Sequence, residues 1–525
     1  MKTDKITIVG GGSSGWMVAA YLIKTFPDKD ITVIESPTIP IIGVGESTLA
    51  DFTQFRDYLG LDEKEFMKNT DASYKMSIKF TDFYDKNGES FHYPFGYPYL
   101  NGTNYGMADW LEIKAYYQET PNSDFVKSYF PSSHLFENNK FATNQSGYYE
   151  NYTKTTDVSY HFDAVKFATY LKEKYCIPRN VKHISANVVD VVKNKEEVSY
   201  LLLDLNNSKI TSDLFIDCTG FKSLLLGQAM NEKFISYSDI IPNNRSWAAQ
   251  LPYLDKEKEL EPYTHCTAIE NGWCWNTPLW SRLGTGYVYS DKHTTPEKAK
   301  EEFKQYLMSE KMTVPRTEKD LENITFRDIP MKIGIYERTW VKNVVAIGLS
   351  SSFCEPLESN GLFSVIRYVS KLSKTLLRGE VSKFDIDIYN IAIKGMYDKF
   401  VEFVAMHYAL SIRRDTAYWV DISNKTFSKE MVEMKPGKVV GFHDLQDRKM
   451  FLNQVDPAAG ITYISVGMNY LFFDIIDQRT NVHNIDIKQY IDNSIEFFDS
   501  RKRKWSEAAK LAPTLYEYLK NNIHN

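Results

Sequence analysis

The run Gly10-Gly11-Gly12-Ser13-Ser14-Gly15 directly follows the short apolar stretch Ile6-Thr7-Ile8-Val9 and leads into a helical pattern over residues 16–25. Strand, glycine turn and helix in immediate succession form the phosphate-binding opening of a βαβ unit. Gly10 permits the tight turn, Gly12 lets backbone approach a pyrophosphate, and Gly15 allows helix to pack closely on strand. The helix N-terminus, with Ser13 in its first turn, then faces the phosphates. A second strand-like run, residues 31–34, ends in Glu35, 20 residues after Gly15, where a carboxylate can accept ribose hydroxyls. A glycine turn that binds nothing is the bland alternative. Strand, helix, second strand and acid in one register weigh against it, and FAD or NAD fits equally.

Downstream segments favour FAD. Residues 181–192 and 198–205 alternate like paired strands, Asp213-Leu214-Phe215-Ile216-Asp217 runs into the small-residue turn Cys218-Thr219-Gly220, and Val344-Val345-Ala346-Ile347-Gly348 is a further strand. Strands recurring this far along suggest an α/β fold with one discontinuous, Rossmann-like FAD-binding module of the flavoprotein monooxygenase kind, built from residues 1–100, 155–235 and 325–375. Residues 101–154 and 236–324 are then insertions that shape the substrate site and shield the flavin. Amphipathic runs at 388–408 and 485–520 make 376–525 a mostly helical cap on the substrate side. The aromatic-rich stretch 91–160 yields no definite secondary structure. A second GxGxxG with a following acid is absent, so reduced flavin is expected from a separate NAD(P)H-dependent reductase.

Composition narrows the setting. A chain of 525 residues can bury several cores without staples, and its net charge of −6 without a long basic run speaks against a nucleic-acid partner. The five cysteines are scattered, odd in number and lack CxxC spacing, which argues against a disulfide framework and a zinc site. With no signal peptide and no run of 18 apolar residues, no membrane association is expected and a cytoplasmic protein is the simplest reading. A homodimer is compatible with the sequence.

Gly272-Trp273-Cys274-Trp275-Asn276-Thr277-Pro278 places two tryptophans at i and i+2, on one face of a strand. Alone, such a pair is an aromatic core ridge. In company with the other motifs it resembles the flavin-dependent halogenases of the tryptophan-halogenase type, whose WxWxIP signature reads WCWNTP here, with Thr277 in place of Ile. The likeness continues in family order through Gly43-Val44-Gly45-Glu46-Ser47-Thr48, Ser73-Tyr74-Lys75-Met76-Ser77-Ile78-Lys79-Phe80, His161-Phe162-Asp163-Ala164, Glu261-Pro262-Tyr263-Thr264, Gly284-Thr285-Gly286-Tyr287-Val288 and residues 348–361, over roughly the first 420 residues. By that resemblance Gly43, Gly45, Glu46 and Gly348 join the cofactor site.

The resemblance implies that FADH2, O2 and halide (chloride, bromide or iodide) yield hypohalous acid, which travels through the protein to a small aromatic substrate. Lys75 matches the essential lysine, either as a hydrogen-bond donor to hypohalous acid or as a haloamine; Lys79, read as one helical turn away, is the weaker candidate. Glu358 matches the glutamate that stabilises the cationic ring, with Ser359 contacting the lysine. Backbone N–H groups of Asn360 and Gly361 would face halide, Asn360 standing where the family usually has Thr. The same loop also reads as a helix cap by Ser359 or Asn360. Trp273 and Trp275 would keep substrate from the flavin, and Tyr93, where the family tends to have His, and Phe95 would sandwich the ring. The Tyr-Tyr-Glu stretch and Phe-Trp pair of tryptophan-specific members have no counterpart at 440–470, so an electron-rich indole or phenol is expected rather than free tryptophan. The alternatives are an FAD-dependent aromatic hydroxylase or oxidoreductase, which would want an open route to the flavin, and a catalytically inactive flavin-binding protein, in which Lys75 and Glu358 would have no reason to persist together.

Overall fold

The computed structural model describes residues 1–39, 43, 46–104, 106–143, 149, 151–425, 459–470 and 487–525. Its first sheet has six strands in the order Trp340–Val341, Val344–Ala346, Leu214–Asp217, Lys5–Val9, Asp30–Glu35, Lys182–Ser185. All neighbours are parallel except the antiparallel edge pair at 340–346. Central strands of a parallel sheet are covered on both faces, which is why Ile6, Ile8, Val33, Leu214, Ile216 and Val345 are all buried in near-continuous apolar runs. The glycine turn lies at the C-terminal end of the middle strand. Gly10 has φ +117°, and a Cβ there would fall 2.2 Å from the Cys218 carbonyl oxygen; a Cβ on Gly15 would fall 1.9 Å from the Gly10 oxygen. Only glycine admits both contacts.

A second, seven-stranded sheet runs Arg327–Pro330, Arg245–Leu251, Leu283–Tyr289, Gly272–Pro278, Tyr263–Ile269, Ser77–Thr81, Phe91–Pro94. It is antiparallel except where Tyr263–Ile269 pairs parallel with Ser77–Thr81. Between the two large sheets in sequence sits a small one, Glu46–Ser47, Ser159–Phe162 and Ser73–Lys75, in which Ser47 and Ser73 both pair with His161 and Lys75 pairs with Ser159. Lys75 and Lys79 therefore lie on successive strands broken at Met76, and the helical spacing expected for them is wrong. Lys79 turns away, 5.6 Å from the Tyr263 ring centre.

Helix Asn360–Leu376 packs on the fingerprint helix Ser13–Thr25. Its buried Leu362, Val365, Ile366, Val369, Leu372 and Leu376 form the stripe that a 3.6-residue period predicts. Helix Lys383–Ala409 follows, opened by a capping box between Ser382 and Asp385, and Ile487–Leu511 is the last long helix. The 91–160 stretch resolves into the strand Phe91–Pro94, short helices at Ala108–Tyr116, Asp124–Tyr129, Ser133–Phe136 and Lys154–Asp157, and the strand Ser159–Phe162. All five cysteines are buried free thiols. Among the described residues no helix is long and apolar enough to cross a membrane.

Candidate active site

The fingerprint helix begins at Gly12 without a side-chain cap and without an acidic residue in its first turn. Its N-terminal N–H groups and dipole are thus left for an anion, and a Cβ on Gly12 would meet open space. The turn at Gly348 closes on it: φ is +78°, and a Cβ there would lie 2.5 Å from the Ser14 hydroxyl. Ser13 donates its hydroxyl to the Ala164 carbonyl at 3.1 Å, so its backbone N–H alone faces a ligand. Glu35 lies over Gly11, with its carboxylate 3.0 Å from Lys172 Nζ and 2.8 Å from His183 Nε2. Gly43 is buried and its carbonyl accepts from Gln250 at 3.3 Å. Glu46 pairs through its backbone with Phe162, whereas Gly45 lies outside the described residues. An uncapped helix end, approached by backbone where only glycine fits, with an acid at the tip of the next strand, suits the pyrophosphate and ribose of FAD.

Lys75 is fully buried. Its ammonium donates to the Thr48 carbonyl at 3.0 Å and to Ser359 Oγ at 2.9 Å, and stands 5.0 Å from the Phe95 ring centre. Burial depresses its pKa to about 7, against the opposing pull of Glu358 and then Cys266. Ser359 has the left-handed φ of +56° and caps helix Asn360–Leu376 in position only; its hydroxyl serves Lys75. The Asn360 side chain donates to the Glu355 carbonyl at 2.8 Å, and a Cβ on Gly361 would meet open space.

Glu358 is 1% exposed, and neither carboxylate oxygen has an aligned hydrogen-bond donor. His407 Nε2, from the long helix Lys383–Ala409, lies 2.8 Å from Glu358 Oε1 but off the line of donation. His407 also faces Glu355, which accepts from Asn243 at 2.6 Å and from the Tyr408 hydroxyl. Burial pushes Glu355 up to about 7, opposed by Tyr408, Asn243, His407 and Trp273.

Tyr93 meets Phe95 and Phe403 edge to face, at 6.4 and 6.1 Å, and tilts against Tyr463 at 5.9 Å. Helix Ala459–Gly467 passes so close that a Cβ on Gly460 would lie 2.7 Å from the Tyr93 hydroxyl. Burial raises the Tyr93 phenol, and Glu358 adds to this. Trp273 and Trp275 project from one face of their strand, ring centres 6.1 Å apart. Trp275 is cross-strand from Cys266, which feels both Lys75 and Glu358.

The structure thus brings Lys75, Glu358, Ser359, Tyr93 and Phe95 into one neighbourhood. His407 carries no readable signal in the sequence, being a lone histidine on an apolar helix face, and Ser47 and Thr264 are ordinary hydroxyl residues within 43–48 and 261–264. Most of the 440–470 stretch, up to residue 458, lies outside the described residues.

The model of the family described as Tryptophan halogenase matches residues 5–453. The chain belongs to the tryptophan halogenase family. Tryptophan 6-halogenase SttH of Streptomyces toxytricini is 34% identical over 451 residues, covering 82% of this chain and 83% of the relative. Tryptophan 7-halogenase RebH of Lentzea aerocolonigenes is 33% identical over 432 residues, 80% and 78% of the two chains. The VirX1 apo structure superposes with a TM-score of 0.89 at 34% identity, over 100% of this chain and 99% of that one. The protein is a flavin-dependent halogenase that uses FADH2, O2 and halide, acts on an aromatic substrate and depends on a separate flavin reductase. The hydroxylase and inactive-protein alternatives fall away.

Proposed function

We propose that this halogenase places bromine or iodine at least as readily as chlorine on an electron-rich indole- or phenol-like ring, with free tryptophan a poor substrate. When bound, reduced FAD would give two electrons to O2, and the partly reduced oxygen would take two more from halide, leaving hypohalous acid and water. Gly10, Gly12, Ser13, Gly15, Gly43, Gly45, Glu46 and Gly348 hold it, with Glu35 at a ribose hydroxyl. Asn360 and Gly361 offer halide backbone N–H groups, which cannot ionise or compete as nucleophiles. Trp273 and Trp275 keep the ring away from the flavin. Lys75 presents the electrophilic halogen, and Glu358 stabilises the positive charge that spreads over the attacked ring and accepts its proton. Tyr93 and Phe95 hold the ring by edge and offset contacts.

The observation that carries this reading is that Lys75 and Glu358, both withdrawn from water, act on one another across Ser359, which accepts from Lys75 and follows Glu358 in the chain. The Glu358 carboxylate has His407 Nε2 at 2.8 Å but no aligned donor. A carboxylate left in that condition gains most when a cation forms beside it. An α-amino acid brings a zwitterion whose burial without dedicated partners costs several kcal/mol, more than aromatic stacking returns.

Residues 376–525 act in this reading as a substrate-side cap on the discontinuous FAD module of 1–100, 155–235 and 325–375, with 101–154 and 236–324 inserted. Five buried thiols suit a reducing cytoplasm, where an NAD(P)H-dependent reductase supplies FADH2. Exposed Phe384 and Ile391 on helix Lys383–Ala409 give a homodimer an apolar face.

The test is mass spectrometry of products from indoles, phenols and tryptophan, with a generic flavin reductase and each halide in turn. Simple indoles or phenols should outperform tryptophan in kcat/KM, bromide should match or exceed chloride, and Lys75→Ala should abolish organic product while flavin reoxidation continues. A tryptophan preference or a chloride preference would overturn the corresponding part, and an active Lys75→Ala would move the catalytic role elsewhere.

A further inference from the structure

The hydrogen bonds of Lys75 do not stop at Ser359. The Ser359 hydroxyl donates onward to Ser47 Oγ at 3.0 Å; Ser47 and Thr264 hydroxyls lie 2.6 Å apart; Thr264 Oγ1 lies 2.9 Å from His161 Nε2. Beyond the ring, His161 Nδ1 lies 3.4 Å from Ser73 Oγ, whose own hydroxyl donates to the Pro278 carbonyl. His161, Ser73 and Lys75 are fully buried, Thr264 and Ser359 nearly so, and Ser47 is half-buried.

Donor and acceptor accounting fixes the direction of this chain. The Ser73 proton goes to the Pro278 carbonyl, and the same carbonyl acts on the His161 ring as an acceptor, so the hydrogen of the neutral ring is assigned to Nδ1. In the neutral ring Nε2 is then a lone pair and accepts from Thr264. Thr264 accepts from Ser47, Ser47 from Ser359, and Ser359 from the Lys75 ammonium. Every link points away from Lys75 and ends on the free lone pair of a buried imidazole.

We propose that His161 is the proton store of Lys75, reached through Ser359, Ser47 and Thr264. Resting on the reading of Lys75 as the catalytic lysine, this makes Ser47, Thr264 and His161 positioning residues that govern its protonation. Along the chain an N–H bond of Lys75 breaks as an O–H bond forms on Ser359, and each hydroxyl passes its own hydrogen to the next oxygen. Thr264 delivers the last to His161 Nε2. The ammonium becomes an amine, the imidazole an imidazolium, and the total charge is unchanged. Lys75 thereby switches from a hydrogen-bond donor to Ser359 into an amine whose lone pair accepts from Ser359.

Burial and then the charge on Lys75 hold His161 well below the ordinary histidine range, opposed by the Pro278 carbonyl. The Lys75 contribution disappears once the proton has moved, while burial still returns the proton to Lys75, so the imidazolium is a transient seat. On the other side of Lys75, Glu358 and Cys266 are the ionisable groups that act on it. One positive charge thus has two seats in this proposal, with Lys75 the favoured one.

Nitrogen-15 NMR of histidine-labelled protein tests the direction of the chain without any assay of activity. His161 should be the Nδ1–H tautomer in wild type; an Nε2–H tautomer would donate to Thr264, reverse the chain and overturn the proposal. Halogenation rates against pH, with rates in H2O–D2O mixtures, test its use. Thr264→Val, isosteric but without a hydroxyl, should lower halogenation by a factor on the order of 10² and flatten the curved dependence on deuterium content. Thr264→Ser should restore both, and Ser47→Ala should resemble Thr264→Val. Wild-type rates and pH profiles in both hydroxyl-deletion variants would overturn the relay. Absence of halogenated product from wild type would instead count against the function proposed above, with the tautomer still deciding the relay.

Discussion

Folding around a lysine whose hydrogen bonds go only to uncharged oxygens is costly, and the cost of Lys75 depends on pH. Below pH 7 it is charged in both folded and unfolded chains, and the whole penalty of burying the charge is felt. Between about 7 and the ordinary value of 10.5 only the unfolded chain holds the proton, so stability rises with pH; above 10.5 the penalty is gone. The displacement corresponds to a penalty on the order of 5 kcal/mol near pH 6, falling to about 1 kcal/mol by pH 10. Lys75→Met should therefore melt at a higher temperature than wild type at pH 6, with the gap closing towards pH 10, as thermal unfolding at the two pH values would record. Equal melting temperatures at pH 6 would mean that the lysine is not buried as a charge. The sequence could not reveal this burial: Lys75 looks like any solvated lysine until three short strands with distant partners enclose it.

At the scale of elements, legibility followed local pattern. The fingerprint strand, turn and helix announce themselves within 20 residues because glycine geometry and apolar periodicity are local signals. The tryptophan strand was also readable, since alternation sends Trp273 and Trp275 to one face. The small sheet of 46–47, 73–75 and 159–162 was not: strands of two to four residues carry no period, and their pairing joins positions more than 80 residues apart. The tryptophan strand has a dependence on its neighbour that only the fold displays. A Cβ on Gly286 would fall 2.0 Å from the Trp275 ring and 2.5 Å from the Trp247 carbonyl. Gly286→Ala should force the indole aside and destabilise the protein by about 1–3 kcal/mol. Urea unfolding with tryptophan fluorescence would show both effects, and an unchanged midpoint would mean that the strand yields easily.

The whole molecule carries one dinucleotide fingerprint, and the sheet built around it gives a single set of strands to hold one such cofactor. Purified protein loaded with FAD should consume NADH negligibly until a flavin reductase is added, when consumption and product formation begin together. A spectrophotometric trace at the nicotinamide band measures this directly. Rapid oxidation by the halogenase alone would require a nicotinamide site that neither the motif nor the sheet supplies.

An enzyme that releases hypohalous acid inside itself is exposed to its own reagent, and sulfur is the softest target it owns. Cys266 lies 4.0 Å from the Leu357 carbonyl and within the electrostatic reach of Glu358 and Lys75. Burial, followed by the Glu358 charge, raises its thiol well above the usual range, so almost none of it is thiolate, the form that oxidants attack fastest. Cys218, Cys274 and Cys354 are held in the same protonated condition. Glu358, proposed above to steady the cationic ring, thus also helps to keep the neighbouring thiol in its less reactive, protonated form.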